Sequence, residues 1–166
     1  IPGYNYRIDE LRSALGASQL GRLPENNRIR GRITDRYHAL LTRIDGLGVP
    51  FANHPTPGRT AAHILPVVLP ADAPRAQVQA DLRAAGVQTS VHYPPIHTFT
   101  HHRTAENVRA APMPVTDSIA DRLLTLPLYP TLTNADQDLV VESLAVAVQN
   151  ARSAGSRSPA TAQDTP

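Results

Sequence analysis

The sequence predicts an α/β fold, in which a short three-stranded sheet is covered by helices and preceded by a long or kinked helix. Three patterns point there. Apolar residues recur at steps of three and four from Ile8 to Ile44, a strand, helix, strand unit runs from His63 to Tyr93, and a further strand and helix follow between Leu124 and Val148. At 166 residues the chain suffices for one domain with a sizeable core, and two full domains would be crowded. Its 41% hydrophobic content with scattered charge reads as a soluble globular protein. No apolar run approaches the roughly 20 residues that span a bilayer, and no signal-peptide pattern opens the chain, so a cytoplasmic setting is expected.

In chain order, Ile8, Leu11, Leu15 and Leu20 form the first part of the stripe, and Pro24 is expected to end or kink the helix near Leu23. Ile29, Ile33, Tyr37, Leu40, Leu41 and Ile44 continue it up to the glycine-rich stop Asp45-Gly46-Leu47-Gly48. Val49 to Arg59, with three prolines, is a connecting loop. His63 to Leu69 reads as a strand placed at an edge or bulge by Pro66. Asp72-Ala73-Pro74 reads as a capped start for a helix that buries Val78, Leu82 and Ala85 and stops at Gly86. Val87 to Tyr93 is the next strand. Pro114 to Asp117 caps a short helix, Leu124 to Tyr129 is the third strand, and Thr133 with Asp136 resembles a capping box. That box opens a last helix with Leu139, Val140, Leu144, Ala147 and Val148 as its buried positions. The expected division is residues 1–45 as a helical segment, 46–152 as a small α/β domain and 153–166 as a disordered tail.

The candidate functional residues gather in two places. Gly3-Tyr4-Asn5-Tyr6-Arg7 precedes the first helix, where unsatisfied N–H groups and the helix dipole suit an anion. Tyr4, Tyr6 and Arg7 also read, more plainly, as packing and surface residues. Val91-His92-Tyr93-Pro94-Pro95-Ile96-His97 leaves a strand through two prolines, which display His92, Tyr93 and His97 at a rigid strand end. His92 alone is as well explained by a structural histidine; His97, beyond the prolines, is harder to explain that way. His97, His101 and His102 lack supporting carboxylates or cysteines, so no metal site is expected. Arg28, Arg32 and Arg36 share a helix side that reads as solvated or subunit-facing rather than as a nucleic-acid face. All 16 basic residues are Arg, so no Lys is present for Schiff-base chemistry. The chain opens on Ile1-Pro2 and reads as a piece of a larger polypeptide.

Taken together, these blocks resemble the DegT/StrS family of sugar aminotransferases. Gly3-Tyr4-Asn5-Tyr6-Arg7 leads into Glu10-Leu11 and Ala14-Leu15-Gly16; then come His63-Ile64-Leu65-Pro66, Gly86-Val87-Gln88-Thr89 and the His92 to His97 block, and finally Leu126-Pro127-Leu128-Tyr129-Pro130. The resemblance covers about Gly3 to Ala151 and implies the C-terminal portion of a fold-type-I enzyme. Such an enzyme uses pyridoxal 5′-phosphate (PLP) to move an amino group from glutamate or glutamine to a nucleotide-linked keto-sugar. It further implies a homodimer with sites shared between subunits. Asn5, with Arg7 close by, would face the cofactor phosphate of the other subunit, and His97, with His92 and Tyr93, would face the sugar. The family's cofactor-bearing Lys would lie upstream of Ile1, and the chain alone is expected to be inactive. The rival readings are a sugar dehydratase of the same family and a truncated, non-catalytic interaction module.

Overall fold

In a computed structural model, the described residues are 8–52, 60–104 and 111–155. The elements are α1 (Glu10–Leu41), β1 (Leu65–Val68), α2 (Arg75–Ala84), a 3-10 turn (Ile96–Thr98), α3 (Thr100–Thr104), α4 (Pro114–Ala120), β2 (Leu123–Leu126) and α5 (Asn134–Gly155). β1 and β2 are antiparallel, with Leu65 opposite Leu126 and Val67 opposite Leu124. Those four side chains share one face because side chains alternate along a strand. They enter a single core with Ile33, Tyr37 and Leu41 of α1, Val78 and Leu82 of α2, and Val140, Leu144, Ala147, Val148 and Ala151 of α5. The fold is therefore a small sheet with three helices packed on one face.

The expected third strand is reduced to one position. Ser90 exchanges two backbone hydrogen bonds with Thr125 (3.2 and 2.8 Å), and no strand forms around it. The next hydrogen-bonded pair along that ladder would be Gln88 with Pro127, which has no N–H to give. In the other direction, the rigid Pro94-Pro95 exit follows within a few residues. Because both β1 and the Ser90 segment run antiparallel to β2, they are parallel to each other with β2 between them. The crossover through α2 thus skips one place in the sheet. On the far side, Gly48 exchanges two 2.8 Å bonds with Val68. Pro66, two residues earlier on β1, turns the same way as Val68, so its missing N–H faces the open edge, as the sequence predicts.

α1 runs unbroken through Pro24, contrary to the expected stop or kink. Leu20, whose carbonyl loses its partner there, is exposed, so water can replace the lost N–H. The stripe divides in two. Ile33, Tyr37 and Leu41 are buried, whereas Leu11 and Leu15 are 85% and 61% exposed. Arg36 binds the Asp138 carboxylate through one guanidinium nitrogen (2.7 and 2.9 Å), and Arg28 pairs with Glu25 within the helix. These contacts tie α1 to α5 and to itself rather than build a basic face.

α2 ends as the sequence predicts. Gly86, at φ +81°, donates to the Arg83 carbonyl and Val87 donates to that of Leu82, with Leu82 and Val87 both buried. Its start differs: Pro74 holds the cap position without a side-chain bond, while Asp72 accepts from Arg152 of α5 at 3.0 Å. Ala85, expected in the core, is exposed, as is Leu139 on α5. α5 takes in residues 153–155, the first three of the expected tail; 156–166 lie outside the described residues.

The capping box forms in full. The Asp136 carboxylate accepts from Thr133 N (3.0 Å) and Thr133 Oγ1 (2.7 Å), and Asp136 N donates back to Thr133 Oγ1 (3.1 Å). Thr133→Ala is expected to lower stability by about 1 kcal/mol in a urea titration. The Thr133 hydroxyl, then its backbone N–H, hold the Asp136 carboxyl below its ordinary range. Its folded value is the lower one, so this stabilisation is present at neutral pH and fades as pH falls below about 3.8. In Thr133→Ala that acid-side loss should shrink.

Candidate functional site

Ser90, paired to β2, is the last residue anchored to the sheet before the Val91 to His97 segment leaves it. The Ser90 hydroxyl lies 3.3 Å from His92 Nδ1, and the His92 ring meets Tyr93 edge-on with centroids 4.8 Å apart. Pro94 and Pro95 then lead into the 3-10 turn, closed by Thr98 Oγ1 and Thr98 N, both donating to the Pro95 carbonyl. His97 sits in that turn and does not join His92 and Tyr93. Its Nε2 is 2.7 Å from Oδ1 of Asp117 on α4, with the His97 side chain 23% exposed and that of Asp117 57%.

Asp117 is the residue that sequence reasoning missed. The sequence suggests a capping role for Pro114 to Asp117; in the fold Met113 occupies the cap, and Asp117 uses its side chain for His97. Twenty positions of chain separate the two, so no local pattern links them. α4 is itself held from below. Arg75 of α2 donates to the carbonyls of Ala120 (2.7 Å) and Leu123 (3.2 Å), and Arg122 donates to those of Ser118 and Leu69 (both 3.1 Å). Arg75, Val91, Pro94, Pro95, Thr98 and Asp117 line an open cleft of about 440 Å³.

Asn5 and Arg7 lie outside the described residues. The start of α1 is described, and its own side chains occupy it: Asp9 Oδ1 accepts from Arg12 N at 2.8 Å, and Glu10 follows in the first turn. The Asp9 carboxylate is also paired with the Arg12 guanidinium at 3.2 Å, so charges of both signs stand at that helix end. His101 and His102 contact each other edge-on at 5.3 Å, and no three His, Asp or Glu side chains converge among the described residues.

Residues 1–145 match the DegT/DnrJ/EryC1/StrS aminotransferase family. The chain belongs to that family. It is similar to the spore coat polysaccharide biosynthesis protein SpsC of Bacillus subtilis (strain 168), at 33% identity over 156 residues. That match takes in 90% of this chain and 39% of SpsC. A DegT DnrJ EryC1 StrS aminotransferase from Brucella abortus shares 28% identity at a TM-score of 0.71, over 83% of this chain and 35% of that one. Spr1654 of Streptococcus pneumoniae, described as a sugar aminotransferase and solved in a PLP form, shares the fold at 20% identity and TM-score 0.73. That likeness covers 91% of this chain and 38% of Spr1654. The chain thus spans well under half the length of these relatives.

Within this DegT/DnrJ/EryC1/StrS chain, the described residues do not themselves fit a complete PLP site. No Lys is available to bond the cofactor aldehyde, and Asn5 and Arg7, the expected phosphate residues, lie outside the described residues. No helix among the described residues is long and apolar enough to cross a membrane.

Proposed function

We propose that this chain is the small-domain part of a PLP-dependent sugar aminotransferase, which moves an amino group from glutamate or glutamine to a nucleotide-linked keto-sugar. The observation that carries the proposal is the family match over residues 1–145, joined to a histidine held on a rigid loop beside an open cleft. In this reading PLP supplies the electron sink, and its amine partner comes from outside these 166 residues. The chain's own residues bind and orient. His97 hydrogen-bonds the sugar, His92 and Tyr93 border it, and Asn5 and Arg7 face the cofactor phosphate of a second subunit in a cytoplasmic homodimer. Alone, the chain is inactive. A dehydratase of the same family would use the same sugar-facing residues and differ at the cofactor amine.

The expected result is that, in the PLP-loaded enzyme carrying this sequence, His97→Ala raises KM for the keto-sugar about tenfold, the effect of one lost hydrogen bond, and leaves the bound PLP content unchanged. Exposed Gln149 on α5 supplies the control, with Gln149→Ala at parental KM. A KM that is the same for His97→Ala and parent would remove His97 from the sugar site. The apolar stripe left exposed on the first half of α1 favours a second reading, an interaction module that pairs with a complete family member. Under that reading, mixing the chain with such a member gives a mixed dimer, and His97→Ala leaves KM untouched.

A further inference from the structure

The bond between His97 and Asp117 joins two segments that are each fixed independently. The His97 turn is entered from two prolines and closed on the Pro95 carbonyl, while α4 is pinned by Arg75 and Arg122 to β2 and to the residue after β1. An ionised carboxylate has no proton to give, so at 2.7 Å the hydrogen must sit on His97 Nε2. That leaves Nδ1 as the second functional atom of the ring. No described residue is seen bonded to it, and in the neutral imidazole it carries a lone pair.

We propose that Asp117 is a positioning residue. It holds the His97 ring with Nε2–H toward α4 and leaves Nδ1 as an acceptor for a hydroxyl of a polyhydroxylated ligand. The assignment rests on the reading of His97 as sugar-facing, and it adds to that reading the atom used and the group that aims it. The adjoining cleft has apolar walls from Val91, Pro94 and Pro95, the carboxylates of Asp117 and Asp121, and an Arg75 guanidinium engaged by the Ala120 and Leu123 carbonyls. A neutral hydroxyl-bearing ligand suits such a place better than an anion does.

The test uses Asp117→Ala and the near-isosteric Asp117→Asn, whose amide oxygen still accepts from Nε2–H. Asp117 is more than half exposed, so both variants should keep the parental thermal midpoint. In 15N-histidine spectra of the loaded enzyme, the His97 Nε2–H proton should be visible and slow to exchange in the parent, retained in Asp117→Asn and lost in Asp117→Ala. In the loaded enzyme, Asp117→Ala should raise KM for the keto-sugar about tenfold at nearly unchanged kcat, Asp117→Asn should restore most of it, and His97→Ala with Asp117→Ala should be no worse than His97→Ala alone. An Nε2–H signal that persists in Asp117→Ala, or KM effects that multiply in the double variant, overturns the positioning role. If the signal is lost as expected but His97→Ala itself leaves KM unchanged, the contact stands and the sugar-facing reading is what has failed.

Discussion

Tyr37→Ala is expected to cost the fold about 3–5 kcal/mol, whereas Tyr37→Phe should be neutral or stabilising by up to about 1 kcal/mol. Tyr37 is fully buried where α1 meets the core, so truncation leaves a large cavity in the cluster to which Ile33, Leu41 and Val140 also belong. Its hydroxyl finds no hydrogen-bond partner among the described residues. The ring therefore stabilises and the oxygen is a net cost, which Phe removes. The same burial, with smaller effects from Tyr129 and Asp136, pushes the phenol far above its ordinary value of 10. The folded state keeps its proton where the unfolded chain gives it up. Stability from this group is thus complete below pH 10 and falls as pH rises beyond it. Urea titrations should show parental stability dropping relative to Tyr37→Phe as pH is raised from 9 to about 11. Parallel curves, or a Tyr37→Phe variant weakened by more than about 1 kcal/mol, would mean that the hydroxyl has a partner.

The second large effect concerns activity. Supplied with PLP, glutamate and a nucleotide-linked keto-sugar, the 166-residue chain alone is expected to transfer no detectable amino group. The enzyme carrying this sequence together with a Lys-bearing large domain should do so at an ordinary rate, on the order of 1–1000 per second. Amino transfer through PLP needs an amine that can bond the aldehyde reversibly and carry a proton, and all 16 basic side chains here are guanidiniums, which stay protonated. Measurable turnover by the chain alone would contradict the assignment of the amine to another region.

Local patterns were the legible part of this molecule. The Thr133–Asp136 box and the Gly86 stop form as written because each is satisfied within a few residues. The Ile33, Tyr37 and Leu41 stripe holds because three and four residue spacing sets one helix face against the core. Pattern alone could not say that the same face, at Leu11 and Leu15, would find no cover within this chain. Nor could it foresee that Pro127 would stop the ladder opposite Gln88, since that depends on register between segments far apart in sequence. The candidate site divides in the same way. His97 was marked by its own proline-rich surroundings, but Asp117 reaches it only through the tertiary fold. At the start of α1, Asp9 stands where a cap is needed, and it takes both the Arg12 N–H and the Arg12 guanidinium, contacts that lie within one helical turn.

The central claim is that this chain lends binding residues to a PLP site whose amine lies elsewhere. Borohydride reduction of the PLP-loaded enzyme, followed by peptide mapping, tests it directly. The account predicts one pyridoxyl label, on a Lys outside these 166 residues, and none within them. A label on a peptide of this chain, or sugar amination by an enzyme that takes up no label, would contradict it.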